Sequence, residues 1–219
     1  MDNENVLRCR VRKSQNVLRE MMHYRVEGDS RYKEVLDAWK ETQWDFDFPL
    51  MKLDIGFIRF VFYLREKINM HKISLIMKNA IFSDIESGEN NGKIKHIFFI
   101  ALVPNLREMH YEDLGLEKEC QKLNLTYEIY HLDELQYNVT RHTLVPRHTL
   151  VDREDQKTKA DIMSRLQINQ WEQLPHILTI DPVARFIGAR EKDVVCIRRA
   201  TEHSGEHVLY RYCMRPVKK

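Results

Sequence analysis

The stretch that decides the fold, from Gln173 to Tyr212, reads QLPHILTIDPVARFIGAREKDVVCIRRATEHSGEHVLYRY. Its centre carries the signals of one short helix. Asp181 can accept hydrogen bonds from the free amides of a helix N-terminus, and Pro182 fits the first position because its missing N–H costs nothing there. Gly188 can adopt the left-handed conformation that closes a helix. The apolar residues that share the buried face of this predicted helix are Val183, Phe186 and Ile187.

β-rich runs lie on both sides of this helix. Residues 174–178 are typical of a short strand, and residues 194–198 and 208–212 form two further runs. The segment from His203 to Glu206 has the composition of a turn, so the last two runs are predicted to form a hairpin. A strand, a helix and a hairpin make a small α+β unit, and no catalytic pattern is visible in it.

This unit resembles the C-terminal assembly domain of the fifth subunit shared by the eukaryotic nuclear RNA polymerases, and its counterpart in archaeal RNA polymerase. The pattern runs without a gap through the helix and the hairpin, and residues 142–148 match the family's joint between its two domains. Residues 1–141 resemble the family only in their order of elements. The matching positions in the unit are Leu174, Pro175, Ile177, Asp181, Pro182, Val183, Ala184, Arg185, Phe186, Gly188, Val194, Val195, Ile197, Arg199, Gly205, Tyr210 and Arg211.

The resemblance implies an α+β protein with an N-terminal α/β jaw-like domain at residues 1–141 and a small C-terminal α+β assembly domain at residues 142–219. It implies a non-catalytic subunit of a multisubunit DNA-directed RNA polymerase, without a cofactor or metal of its own. In that assembly the C-terminal domain would anchor to the largest subunit, beside neighbouring small subunits. The jaw would face downstream duplex DNA, through phosphate contacts that are independent of base sequence.

The resemblance also assigns candidate site residues. Those implied at the subunit interface are Pro182, Arg185, Phe186, Arg199, Tyr210 and Arg211. Those at the domain joint are His142, Pro146 and His148, and those near DNA are Pro104 and Arg107. Three interpretations of the arginines of the C-terminal unit stay open: a surface that contacts phosphates, an interface that pairs with acidic groups of a partner protein, and ordinary surface charge.

Some positions depart from the family pattern. Lys192 stands where the family usually has glycine, Phe186 replaces tyrosine, and Cys196, His203 and His207 are also unusual. These differences indicate a diverged lineage, such as a large DNA virus or a protist. The expected location is the nucleus or, for a virus, a cytoplasmic viral factory or the virion.

Composition agrees with a globular protein of one large or two small domains. The 219 residues include 43% hydrophobic and 31% charged residues, with a formal net charge of +2. Such a small charge predicts no strong bulk attraction to nucleic acid, so any DNA contact needs a local patch. The four scattered cysteines predict reduced thiols in an intracellular protein. The polar start of the chain is not a secretory signal, and no apolar run is long enough for a membrane helix.

The N-terminal half alternates helices and strands, which predicts a small sheet covered by helices. A continuous apolar run at residues 97–103 is typical of a strand buried on both faces. Gly56, within a β-rich run at residues 53–62, indicates a bulge or a short turn. Basic residues around the first helix form either a phosphate-binding face or a solvated surface. Helices are predicted at residues 5–24, 30–41, 70–82, 111–123 and 152–166, a further strand at residues 127–130, and an exposed loop at residues 86–93.

Three other functions compete with the RNA polymerase hypothesis. A free-standing DNA-binding or regulatory protein could use the same assembly domain. A metal-dependent nuclease could use Asp54, Asp84 and Glu86, although no E-x-K pattern follows any of them. A zinc site could use four residues of suitable type, but these lack a paired-cysteine motif. The four are Cys196, His203, His207 and Cys213.

Overall fold

The computed structural model describes residues 2–40, 42, 44, 50–64, 74–76, 78, 93–102, 117–201 and 205–216. The chain divides into two compact units. The first unit comprises Met1–Val17 with Glu34–Tyr137, and the second comprises Leu18–Lys33 with Asn138–Lys219. Helices and strands are mixed in both units, which confirms the predicted α+β class. The predicted domain boundary after residue 141 stays a prediction; the compact units differ from it because residues 18–33 lie with the second unit.

The chain begins with helix α1, Asp2–Arg25, whose first part belongs to the first unit and whose second part belongs to the second. Its apolar face is buried, with Val11, Leu18 and Met21 fully inaccessible to solvent. Two of its basic residues form ion pairs on the surface, Arg8 with Glu4 and Arg10 with Asp133. Helix α2, Tyr32–Trp39, follows after a turn.

A four-stranded sheet with the order β1-β2-β3-β4 forms the first unit. The strands are β1 (Leu50–Ile55), β2 (Ile58–Tyr63), β3 (His96–Ala101) and β4 (Thr126–His131). β1 and β2 are antiparallel, whereas β2, β3 and β4 are parallel. The β-rich run at residues 53–62 is therefore two strands, and Gly56, with φ of +60°, lies in the turn between them.

Both faces of this sheet are covered, and β3 is buried along its whole length, as its apolar sequence predicted. On one face Val61, Ile97 and Phe99 belong to one apolar cluster. On the other face the ring of Phe98 stacks between those of Phe60 and Tyr130, with centroid distances of 5.2 and 5.9 Å. Helix α3, Glu117–Lys122, precedes β4.

Several predictions lie outside the described residues, wholly or in part. Of the helix at residues 70–82, the structure describes 74–76 and 78, and of the helix at residues 111–123 it describes residues from 117 onward. The exposed loop at residues 86–92 is outside the description. Five candidate site residues also lie outside the described residues: Asp84, Glu86, Pro104, Arg107 and His203.

The second unit is built on a sheet with the order β5-β7-β8-β6. The predicted hairpin is confirmed as β7 (Val194–Thr201) antiparallel to β8 (Gly205–Met214). The predicted short strand is β6, His176–Leu178, which runs parallel to β8. Strand β5, Arg147–Leu150, pairs with β7 and was not predicted, because four residues with little alternation carry no clear strand pattern.

Two helices connect these strands. Helix α4, Gln156–Leu166, begins later than the predicted residue 152 because Asp155 is its N-cap and accepts a hydrogen bond from the backbone N–H of Thr158 at 3.0 Å. Helix α5, Pro182–Phe186, lies within the predicted range. Short 3₁₀ turns occur at Leu132–Leu135, Val139–Arg141 and Trp171–Gln173. Within the described part of the chain, no helix is long and apolar enough to cross a membrane.

Candidate subunit interface

Helix α5 is fixed at both ends by the residues that the sequence singled out. The Asp181 carboxylate accepts hydrogen bonds from the backbone N–H groups of Val183 and Ala184 at 2.9 and 3.0 Å. Gly188 has φ of +74°, in the left-handed region expected after a helix end. With this short helix held in place, Pro182 is exposed and Arg185 is half-buried at the surface.

Phe186, in contrast, packs inside the second unit. Its side chain is 4% exposed, and its ring meets that of Tyr24 edge to face at a centroid distance of 5.5 Å. A side chain in this position stabilises the unit and offers no surface to a partner. Phe186 therefore does not belong to the proposed interface.

The buried cation under α5 is Arg25, from the end of helix α1. It is 2% exposed, and its guanidinium donates hydrogen bonds to the carbonyl oxygens of Arg185 at 2.7 Å and Phe186 at 3.2 Å. These carbonyls belong to the C-terminal end of α5, where a cation also suits the helix dipole. No local pattern signals this contact, because Arg25 lies about 160 residues before its partners and resembles the surface cations of the same helix.

The turn after α5 is held by a second arginine. Arg153 donates from Nε and Nη2 to the two carboxylate oxygens of Asp193 at 2.8 and 2.7 Å, and from Nη2 to the Gly188 carbonyl at 3.2 Å. Asp193 also accepts from the backbone N–H of Arg190 at 2.6 Å. The hydrogen bonds to the Asp193 carboxylate raise the pKa of Arg153. This network fixes the segment that leads from α5 into β7, and sequence reasoning missed it.

Within that segment Lys192 has φ of +72°. A side chain on a left-handed residue costs roughly 1–2 kcal/mol. Glycine is the usual residue here in the family that the chain resembles, and the backbone conformation supplies the physical reason for that preference.

The hairpin carries the remaining candidate interface residues on its two faces. Arg199 and Arg211 are exposed on the face that also buries Val195 and Ile197. Arg211 donates a hydrogen bond to the His176 carbonyl at 3.1 Å. Tyr210 is half-buried on the opposite face, because it pairs with Cys196 rather than with Val195. The structure thus brings the two arginines to one face and separates them from Tyr210.

The three joint residues lie at the entry to β5. The Nδ1 atom of His142 accepts a hydrogen bond from the backbone N–H of Leu144 at 3.2 Å, and Nδ1 of His148 lies 2.7 Å from the Pro146 carbonyl. His148 pairs with Ile197 in the sheet. These contacts order a turn and a strand within the second unit, while the role of the three residues as a domain joint stays a prediction.

The zinc hypothesis has no geometric support in the residues described. Cys196 pairs with Tyr210 and faces one side of the sheet, whereas Cys213 belongs to the apolar cluster on the other side. Two ligands on opposite faces of a sheet cannot reach one ion. No group of three or more potential metal-binding side chains occurs among the described residues.

Burial also governs the chemistry of the Cys213 thiol, which is inaccessible to solvent and has its pKa raised to about 12. The pKa of a cysteine thiol in an unfolded chain is about 8.5, so the native state stabilises the neutral form. The stability gained by burying the neutral thiol is fully present below about pH 8.5 and is lost as the pH rises toward 12.

We therefore expect iodoacetamide at pH 8 to label the exposed Cys9 at least about a hundredfold faster than Cys213. Peptide mass spectrometry of the native protein gives both rates, and the same measurement in urea should abolish the difference. A Cys9→Ser variant is the control for the fast phase. Equal labelling of Cys9 and Cys213 in the native protein would contradict the prediction.

These features define a small α+β module in which a short helix and a hairpin are held by buried Arg25 and half-buried Arg153, with further arginines on the surface. Residues 137–213 match the family described as RNA polymerase Rpb5, C-terminal domain. This match confirms the predicted resemblance of the segment to the fifth common polymerase subunit.

Curated relatives agree with the family match. The chain is 38% identical to "DNA-directed RNA polymerases I, II, and III subunit rpabc1" of Dictyostelium discoideum over 100 residues, which are 46% of this chain and 49% of that protein. It is 41% identical over 78 residues to the proteins named "DNA-directed RNA polymerases I, II, and III subunit RPABC1" of Caenorhabditis elegans and Caenorhabditis briggsae. Those matches span 36% of this chain and 35% of each relative, so the similarity covers half or less of each protein.

Proposed function

We propose that this chain is a non-catalytic subunit of a multisubunit DNA-directed RNA polymerase. The observation that carries the proposal is the family match at residues 137–213, which includes α5 and nearly all of the β7–β8 hairpin. The matched relatives are named as subunits of RNA polymerases I, II and III. Their names favour a nuclear location for this chain.

In this proposal the second unit docks on the largest polymerase subunit. The exposed positions Pro182, Arg199 and Arg211 support it, because their side chains lie outside the apolar clusters of the unit. Arginine suits such a surface, since its planar guanidinium binds a carboxylate of a partner through two hydrogen bonds. Half-buried Arg185 belongs to the same helix as Pro182, whereas half-buried Tyr210 lies on the opposite face of the hairpin from the two arginines.

The first unit would lie against downstream duplex DNA, as the resemblance implies. The net charge of +2 favours a few local phosphate contacts over a broad basic surface. Arg107, in the sequence segment that also contains Pro104, is the residue proposed for such a contact. Phosphate contacts of this kind position a duplex without reading its sequence.

Affinity purification of the tagged full-length chain from its native source tests the subunit assignment. The wild-type chain should recover the large polymerase subunits in equal amounts, and Arg185→Glu should lose most of them because it reverses a charge on the proposed docking surface. Arg165→Glu is the matched control, since Arg165 is an exposed arginine of α4 outside that surface, with 75% side-chain exposure.

Circular dichroism must show that all three proteins are folded. A wild-type chain that emerges alone, yet binds duplex DNA, would exclude the subunit role and favour a free-standing DNA-binding protein. Equal recovery of polymerase with Arg185→Glu would keep the subunit role and remove Arg185 from the interface.

A further inference from the structure

In the described part of the chain, strand pairing leaves most of the outer edge of β8 open. Strand β6 pairs only with Tyr212–Met214, at the end of β8. On the other side of β8, β7 pairs with it from Gly205 onward. Among the described residues, no strand pairs with Gly205–Arg211 of β8 on the side away from β7. We call this segment the open edge.

The backbone groups of the open edge alternate in direction. Tyr212 donates its N–H toward β6, to the Pro175 carbonyl at 3.0 Å, and Cys213 donates toward β7, to the Asp193 carbonyl at 2.8 Å. In an antiparallel pair, alternate residues point their N–H and C=O groups to the same side. The N–H and C=O groups that point outward along the open edge are therefore those of Glu206, Val208 and Tyr210.

Side chains give the two faces beside this edge different chemistry. On one face, exposed His207 lies opposite Arg199, and Leu209 and Arg211 follow at alternate positions. On the other face Glu206 is paired with Arg198 at 3.5 Å, followed by Val208 and Tyr210. Val208 and Leu209 are 38% and 41% exposed. The edge thus joins a cationic face to a face that is partly apolar.

We propose that an acidic, extended segment of a neighbouring polymerase subunit adds as a strand to the open edge. This inference rests on the proposed function and specifies how the second unit binds its partner. The added strand would pair with the outward backbone groups of Val208 and Tyr210. Its carboxylates would alternate toward His207 and Arg211, and its apolar side chains would cover Val208 on the opposite face.

A protein strand fits this edge better than a nucleic acid does. The edge presents both N–H donors and C=O acceptors, and a strand supplies a partner for each, whereas phosphate oxygens only accept hydrogen bonds. Charged side chains alone would protect an exposed edge from aggregation. The two exposed apolar residues between them, Val208 and Leu209, instead favour a partner with apolar side chains.

Fluorescence anisotropy with the full-length chain tests the edge directly. The probe is a fluorescein-labelled octapeptide that alternates aspartate with valine, and the comparison peptide has lysine in place of aspartate. We expect the acidic peptide to bind at least tenfold more tightly than the lysine peptide. The double variant Arg199→Glu with His207→Glu should weaken its binding at least tenfold, because it reverses the charge of the cationic face.

Arg198→Glu is the control, since it makes the same charge change as Arg199→Glu on strand β7 but on the opposite face, and it should change the affinity less than threefold. Val208→Pro should also abolish binding, because it removes an outward N–H and leaves the hydrogen bonds to β7 intact. If a variant does not fold, the affinities of the acidic and the lysine peptide for the wild-type chain still test whether the edge prefers an acidic strand.

Failure of the acidic peptide to bind, or equal losses with Arg198→Glu and the double variant, would overturn the proposal. Tighter binding of a 20-base-pair duplex, weakened by the double variant, would also overturn it and assign this face to nucleic acid. If the double variant still co-purifies with polymerase as well as the wild type, the edge proposal fails while the subunit role stands. If the wild-type chain itself co-purifies with no polymerase subunits, the proposed subunit role fails.

Discussion

Replacement of Arg25 by alanine is expected to destabilise the second unit by about 3–4 kcal/mol. The side chain is 2% exposed and donates hydrogen bonds to the carbonyls of Arg185 and Phe186. A hydrogen bond to a charged group contributes roughly 1.5–3 kcal/mol. The Arg185 carbonyl keeps the backbone N–H of Gly188 as a donor at 3.1 Å, so the expected loss comes from the hydrogen bonds to the guanidinium. Urea unfolding measures the total change, and hydrogen exchange at the amides of the β7–β8 hairpin assigns it to this unit.

Arg31→Ala is the control for this prediction. Arg31 lies in the same unit and pairs with Asp29, but its side chain is 61% exposed, so its loss should cost less than about 1 kcal/mol. Arg25→Lys should fall between the two, because an ammonium group cannot reproduce the planar fork of the guanidinium. If Arg25→Ala lowers the free energy of unfolding no more than Arg31→Ala does, the buried contact does not stabilise the unit.

Gly188 gives an independent check of the same contact. Its φ is +74°, and a Cβ atom there would lie 3.0 Å from Nε of Arg25. Gly188→Ala should therefore cost more in the wild type than in the Arg25→Ala background, where only the backbone penalty of roughly 1–2 kcal/mol remains. A double-mutant cycle measures this coupling, and additive effects of the two substitutions would contradict it.

The second large effect is expected in the first unit, where Phe98→Ala should destabilise the sheet by about 3–5 kcal/mol. Phe98 is fully buried, and its ring stacks against Phe60 on one side and Tyr130 on the other. Its truncation removes apolar contact area, leaves a cavity and ends the two stacking contacts as well as an edge-to-face contact with His96. Urea unfolding gives the free energy, and faster hydrogen exchange in β2, β3 and β4 should locate the change.

Tyr137→Ala is the matched aromatic truncation, because Tyr137 belongs to the same unit but is 62% exposed. Its effect should stay within about 0.5 kcal/mol. Phe98→Leu should recover about half of the loss, since leucine fills part of the cavity without the stacking. If Phe98→Ala lowers the free energy of unfolding as little as Tyr137→Ala does, the aromatic stack does not stabilise the core of this unit.

The local elements of the second unit were predictable because their signals lie close together in the chain. Asp181, Pro182 and Gly188 mark the two ends of α5, and the apolar runs on both sides of a turn mark the hairpin. The continuous apolar run at residues 97–103 was equally clear, since such a run is typical of a strand covered on both faces, and all six residues of β3 are buried. The family resemblance rests on these same local patterns.

Strand β5 and the start of α4 were less predictable. Arg147–Leu150 becomes a strand because β7 offers it a partner, which no local pattern reveals. Asp152 stays outside α4 because its carboxylate accepts a hydrogen bond from the backbone N–H of Glu154, two residues on, at 2.9 Å. Acidic residues suit both a turn and the first turn of a helix, so composition alone cannot separate the two.

The amino-acid sequence therefore determined the α+β class, the capped helix, the hairpin and the family resemblance, because each depends on patterns among neighbouring residues. Only the tertiary structure decided that Arg25 is a buried structural cation rather than a surface charge, and that Arg153 binds Asp193. It also decided which hairpin residues share a face, since register follows from strand pairing. Contacts between distant segments depend on packing, and no local pattern encodes their geometry.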